Sequence, residues 1–215
     1  MTGRHLSAEA LSTAGQEACE WASKHDVPWL FVTSKEALVA GTDADAALAA
    51  CGLVPLMPLT GMMAPHLAPP SKVPTELHLL RPADDARCSA ILDVNSLAYD
   101  MNLDAAKEIL GTHAFWSGQF GALGLVEGDP VSAAAVVMVD GHRYVLLVAT
   151  KPAHQKRGYG EAVMRHALDL SAQAHGNGPS TLHATEAGRP IYERMGYVPI
   201  AAHNVFIEKK FLEGH

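Results

Sequence analysis

Val148–Arg165 reads VATKPAHQKRGYGEAVMR. It opens on the end of an apolar run, Tyr144–Ala149. A polar segment with Pro152 follows, then Gly158-Tyr159-Gly160. Beyond the glycines Val163, Ala167, Leu170 and Ala174 recur at helical spacing. The stretch therefore predicts a strand, a turn and a helix, with Gln155–Gly160 delivered to the helix N-terminus. The first N–H groups of a helix have no intrahelical acceptor, and the helix dipole adds partial positive charge there. Such a place suits a phosphate. Gly158 and Gly160 let the backbone approach a ligand without a Cβ in the way, and Lys156 and Arg157 add cations.

A turn with glycines for geometry alone would look similar, and two other phosphate motifs use glycines near a helix start. A dinucleotide fingerprint needs a third Gly where Val163 stands, and a P-loop needs Lys-Ser/Thr where Glu161 follows Gly160. Neither fits. The segment Gln155-x-x-Gly158-x-Gly160 instead resembles the Arg/Gln-x-x-Gly-x-Gly/Ala motif of the GNAT N-acetyltransferases, with Pro152 ahead of it. A second match lies downstream. Leu182–Thr185 reads as a strand, and Pro190–Tyr197, PIYERMGY, resembles the family's late helix and its Tyr-x-x-x-Gly-Phe/Tyr ending. The resemblance spans roughly residues 76–215. It implies an α/β (α+β) GNAT fold, a mixed central sheet with helices on both faces.

The resemblance also implies acetyl-CoA as co-substrate and an amine of a small molecule or peptide as acceptor. Gln155, Lys156, Arg157, Gly158, Tyr159 and Gly160 would hold the diphosphate. Val148, Ala149 and Thr150, on the strand before the loop, would offer backbone groups to the pantetheine arm. A backbone N–H at Val148 or Ala149 could donate to the thioester oxygen, and such stabilisation often contributes more to acyl transfer than any other effect. Tyr192 stands where the family has its general acid; a phenol stays protonated at neutral pH and can donate to a leaving thiolate. The family's Asn at the end of the preceding strand is Thr185 here, and its usual Ala before the Tyr is Gly188. The base is not identified. His142–Ala149 holds no Glu, which leaves His183, His113 or a water relay. Asp100, in the loop between two helices expected to shape the acceptor pocket, could hold a cationic amine or simply cap a helix. A non-catalytic acyl-CoA-binding sensor or scaffold is the alternative function.

Composition agrees with a packed chain. Of 215 residues 48% are hydrophobic and 18% charged, which allows a core and argues against disorder. A net charge of −7 argues against a nucleic-acid partner, and no apolar run has the length of a membrane span. Cys19, Cys51 and Cys88 form no Cys-x-x-Cys, and the N-terminus has no signal-peptide pattern, so a cytoplasmic chain is expected. The histidines show no metal spacing, and no metal is expected. Assembly as a homodimer is left open.

Three regions are expected. Residues 1–63 read as helix (Ser7–Ala22, broken by Asp26-Val27-Pro28), strand (Trp29–Thr33), short helix (Asp43–Cys51) and an extended piece with Pro55 and Pro58. Residues 64–75, with Pro65, Pro69, Pro70 and Pro74, read as a stiff linker. Residues 76–215 form the catalytic domain. In it Leu77–Leu80 is a strand and Asp84–Tyr99 a helix with Ile91, Val94, Leu97 and Ala98 inward. Leu103–Leu110 is a helix and Trp116–Val126 a strand. Ala133–Val139 and Tyr144–Ala149 form a hairpin about Asp140-Gly141. Anchoring Gly52 on Gly196 aligns Val54-Pro55 with Val198-Pro199 and Leu48 with Tyr192. Residues 1–63 thus resemble the back half of a GNAT domain, a partial repeat expected to lack a cofactor site.

Overall fold

Local signals place most elements. The computed structural model describes residues 5–25 and 29–212; the break expected at Asp26-Val27-Pro28 lies outside them. In chain order the elements are α1 (Ala8–Ala22), β1 (Phe31–Ser34), α2 (Ala44–Ala49), β2 (Leu53–Ala64), β3 (His78–Leu80), α3 (Asp85–Tyr99), α4 (Asp104–Leu110), α5 (His113–Trp116), β4 (Phe120–Val126), β5 (Asp129–Val139), β6 (His142–Thr150), α6 (Tyr159–His175), β7 (Ser180–Ala184), α7 (Arg189–Arg194) and β8 (Val198–Glu208). They fall into two compact units, one of 1–61, 184–189 and 199–215, the other of 62–183 and 190–198.

In the first unit, α1 starts where the Ser7 hydroxyl accepts from the Ala10 N–H at 3.2 Å, and α2 where the Asp43 carboxylate accepts from the Ala46 N–H at 3.1 Å. β1 pairs antiparallel with β8, Phe31 opposite Phe206, and β8 neighbours β2. Leu11, Leu48, Leu53 and Phe206 form the core. β2 is longer than the expected extended piece and takes in both prolines.

In the second unit the strand order is β7-β6-β5-β4-β3. β3 through β6 are antiparallel, and β6 runs parallel to β7, so the sheet is mixed. The β5–β6 turn has Asp140 at φ 46° and Gly141 at φ 76°, the two positive angles its sequence predicts. Along β4, Leu123 packs with α3, and a Cβ on Gly121 would meet Ile91 of α3 at 2.9 Å. Phe120, of opposite parity, contacts His175 of α6. Successive strand residues face opposite sides, so α3 and α6 cover opposite faces.

Two expectations are corrected. Trp116 does not begin a strand. Thr112 caps α5 by accepting from the Phe115 N–H, and the Trp116 indole donates to the Leu110 carbonyl at 2.6 Å, which holds the ring down as the last helical residue. On α3 Ile91 and Val94 are inward as expected, but Asn95, 3% exposed, joins them, whereas Leu97 is 59% exposed. The proline-rich segment is fastened to its neighbours. Residues 65–77 hold no helix or strand, yet they do not hang free. The Ala68 N–H donates to the Met195 carbonyl at 2.8 Å, and the Ser71 hydroxyl donates to the Glu161 carboxylate at 2.7 Å. Arg165 donates to both Glu161 (2.8 Å) and the Ala68 carbonyl (2.7 Å). The segment is a strap fastened to α6.

Burial alone would raise the Glu161 pKa, but the bonds from Ser71 and Arg165 outweigh it and hold the carboxyl below its ordinary value. A depressed carboxyl contributes stability above its unfolded pKa and loses it as pH falls through the folded one. Glu161→Ala is therefore expected to cost about 2–4 kcal/mol at pH 7 in urea unfolding, since it strands a largely buried Arg165. The gap from wild type should shrink as pH falls below the ordinary carboxylate range; a constant gap would remove the ionic part of the strap's attachment.

Candidate active site

The turn after β6 is built as its sequence suggests. A single turn of 3-10 helix, Pro152–His154, leads into Gln155, and α6 starts after Gly158. Lys156 (φ 64°) and Gly158 (φ 87°) are both left-handed. These two reversals curl the backbone of 155–160 over the first turn of α6, whose N–H groups point into the loop. A Cβ on Gly160 would have one neighbour, the Thr150 hydroxyl at 3.4 Å. A side chain at residue 160 would project into the space between the end of β6 and the start of α6. A Cβ on Gly158 would instead stand 3.1 Å from the Lys72 Cβ. Sequence reasoning missed Lys72: the strap carries it to the loop, and strand or helix periodicity has no bearing on a strap.

The loop residues divide by role. Lys156 and Arg157 are exposed beside the turn. The Gln155 amide folds back to donate to the Thr150 carbonyl at 3.3 Å. The Tyr159 ring is turned into the core with Leu77 and Val131, and its hydroxyl donates to Glu76 at 2.7 Å, so only its backbone is available to a ligand.

On β6 the carbonyls of Val148, Ala149 and Thr150 already accept bonds, from the Tyr99 hydroxyl (2.7 Å), the Ser132 hydroxyl (2.8 Å) and Gln155. A carbonyl has a second lone pair, but the N–H groups become the more informative half of each peptide. The strand is bulged here. Its register with β5 passes from Leu146↔Ala135 to Ala149↔Ala133, and Leu147 sits at φ 53°. Among the described residues the parallel register with β7 ends at Val145↔Leu182.

Tyr192 lies on α7 with its ring centroid 6.0 Å from that of Tyr197. Burial, with smaller contributions from the Tyr99 and Tyr197 phenols, pushes its pKa far above the ordinary value. The Tyr99 hydroxyl holds the Val148 carbonyl of the bulged strand. Tyr99 has a visible signal only in retrospect: it lies one helical turn beyond Asn95.

The remaining candidates have structural roles. His183 shares a 2.8 Å hydrogen bond with the Tyr144 hydroxyl. His113 begins α5, its N–H donating to Asp85 at 2.7 Å. Asp100 ends α3 in the left-handed conformation (φ 52°), with its N–H on the Ser96 carbonyl, the capping role. Among the described residues no group of His, Cys, Asp and Glu could hold a metal ion, and no helix is long and apolar enough to cross a membrane.

Residues 114–199 match the family model of the acetyltransferase (GNAT) domain. No curated protein matches the sequence. Solved structures with a similar fold include a GCN5-related N-acetyltransferase from Kribbella flavida, 19% identical over 96% of this chain and 78% of that one, TM-score 0.69. A putative GNAT-family acetyltransferase from Novosphingobium aromaticivorans is 16% identical over 88% and 79%, TM-score 0.58. A tandem GNAT protein from the clavulanic acid biosynthesis pathway is 15% identical over 89% and 67%, TM-score 0.57. The loop that opens α6 and the Tyr192 helix both fall inside the segment that matches the GNAT domain model, and the chain has the fold of the GCN5-related N-acetyltransferases.

Proposed function

We propose that the chain transfers an acetyl group from acetyl-CoA to a primary amine of a small molecule or peptide, in the cytoplasm and without a metal. The observation that carries this reading is the open loop of 155–160 at the start of α6, set against the end of a bulged strand. The residues fit coenzyme A. The α6 N–H groups, Lys156, Arg157 and Lys72 suit a diphosphate, and a Cβ at 160 would enter the space it needs. Bound there, acetyl-CoA supplies an activated acyl thioester. Of the two candidate N–H groups, those of Val148 and Ala149, that of Val148 would serve the thioester oxygen, since the register turns that of Ala149 towards Ala133 of β5. The Tyr192 hydroxyl, kept protonated by burial, would give a proton to the sulfur as the thiolate leaves.

A binding-only role for the same site draws on one fact, the lack of a carboxylate along β6, HRYVLLVAT. The two readings part in one assay. Purified protein is incubated with acetyl-CoA and a panel of amines and amino acids, and free thiol is followed. Amine-dependent thiol release supports the transferase; coenzyme A binding without it supports the sensor.

Residues 1–63 are read as a partial repeat without a cofactor site, 64–75 as the linking strap and 76–215 as the catalytic domain. The order helix, strand, short helix, positive-φ glycine, strand occurs twice, with Gly52 at φ 77° and Gly196 at φ 95°. Leu48, aligned with Tyr192, is a fully buried core residue with no proton to give. The likeness to a tandem GNAT protein adds support. Calorimetry is expected to give one coenzyme A per chain; a ratio near two would overturn the partial repeat.

A further inference from the structure

We infer that Asn95 and Tyr99 are positioning residues that aim the backbone N–H of Val148, a role that rests on the acetyl-transfer reading above. The two side chains sit one turn apart on α3. The Asn95 amide donates to the Ile91 carbonyl at 2.8 Å and, across to β6, to the Leu147 carbonyl at 3.1 Å. The Tyr99 hydroxyl donates to the next carbonyl, that of Val148, at 2.7 Å. In a regular strand successive carbonyls point to opposite edges, and one helix could not hold both. The bulge makes it feasible: Leu147 and Val148 together oppose Ala134, and Leu147 takes φ 53°. A leucine in that region costs on the order of 1–3 kcal/mol and persists only where its surroundings over-determine it. Asn95, a nearly fully buried amide in mid-helix, is itself costly unless bonded. The two costs are met by the same bond.

The consequence for chemistry follows from the planar trans peptide, in which N–H and C=O point in opposite directions. Turning the Leu147 carbonyl towards α3 turns the Val148 N–H away from it, and the bond from Tyr99 to the Val148 carbonyl fixes the next peptide, whose Ala149 N–H faces Ala133 of β5. Without the two donors Leu147 would relax towards the extended region and the Val148 N–H would swing.

The test uses the full chain and acetyl-CoA labelled with carbon-13 at the thioester carbonyl, observed by difference infrared spectroscopy. Wild type should show the bound carbonyl band at lower wavenumber than free acetyl-CoA. In Tyr99→Phe and in Asn95→Leu the band should return towards the free position. Coenzyme A affinity should stay within about threefold, while kcat with the best amine of the panel should fall about 10–100-fold. Tyr99 is 54% exposed and Phe keeps its ring, so that variant decides the matter even if Asn95→Leu does not fold. An unchanged band and kcat in Tyr99→Phe would overturn the inference. So would a wild-type band at the free position with acetyl-CoA bound, which leaves the cofactor site standing. Failure of wild type to bind coenzyme A would remove both.

Discussion

Gly160→Val is expected to fold as wild type does and to bind coenzyme A at least about 100-fold more weakly, equivalent to about 2.7 kcal/mol. The fold should survive because a Cβ at this position meets only the Thr150 hydroxyl, at 3.4 Å, and because a valine in the first turn of a helix costs well under about 1 kcal/mol relative to alanine. Binding should not survive, because the two added methyl groups project into the gap between β6 and α6 and cover N–H groups that the diphosphate needs. Gly158→Asp should weaken binding by another route. It places a carboxylate next to Lys72 and forces a side chain into φ 87°, so part of its effect is lost stability. Comparing the two by calorimetry separates occlusion from strain. Unchanged affinity in a folded Gly160→Val protein would remove the loop as the cofactor site.

Tyr192→Phe should leave coenzyme A affinity unchanged and lower kcat about 10²–10⁴-fold, the usual worth of a general acid. Only one oxygen is lost, and the ring still packs against Tyr197. The pH dependence carries the sign. The phenol's pKa is raised by burial first and neighbouring phenols second, so Tyr192 is protonated throughout the working range. Its ionisation should therefore produce no alkaline fall in rate up to about pH 10, where an ordinary phenol would be half ionised. Full kcat in the variant, measured where chemistry limits the rate, would exclude Tyr192 from the reaction.

The features legible in the sequence are local. The Asp140-Gly141 turn, the Ser7 cap and the loop before α6 depend on neighbours in the chain, and each is seen. The bulge at Leu147 has no such signature. Nothing in VLLVAT distinguishes it from regular strand, because the groups that enforce it, Asn95 and Tyr99, come from a helix some fifty residues earlier. Leu97 is a reasonable inward residue by hydropathy, yet an amide takes the inward place because it has a carbonyl to meet. Likewise the i, i+4 pair of Glu161 and Arg165 looks like any solvated helix pair. Only the fold shows that it receives Ser71. No local pattern marks the division of β8 between the two compact units, which falls between Val198 and Pro199.

The strap has one further consequence. Fixing a residue of irregular backbone costs about 1–2 kcal/mol of conformational entropy, and residues 65–77 gain no helix or sheet ladder to offset it. Pro65, Pro69, Pro70 and Pro74 reduce that cost before folding begins, since each ring fixes φ and narrows the unfolded ensemble, by about 0.4–1 kcal/mol apiece. Part of what holds Lys72 at the loop therefore lies in the disorder the unfolded chain never had.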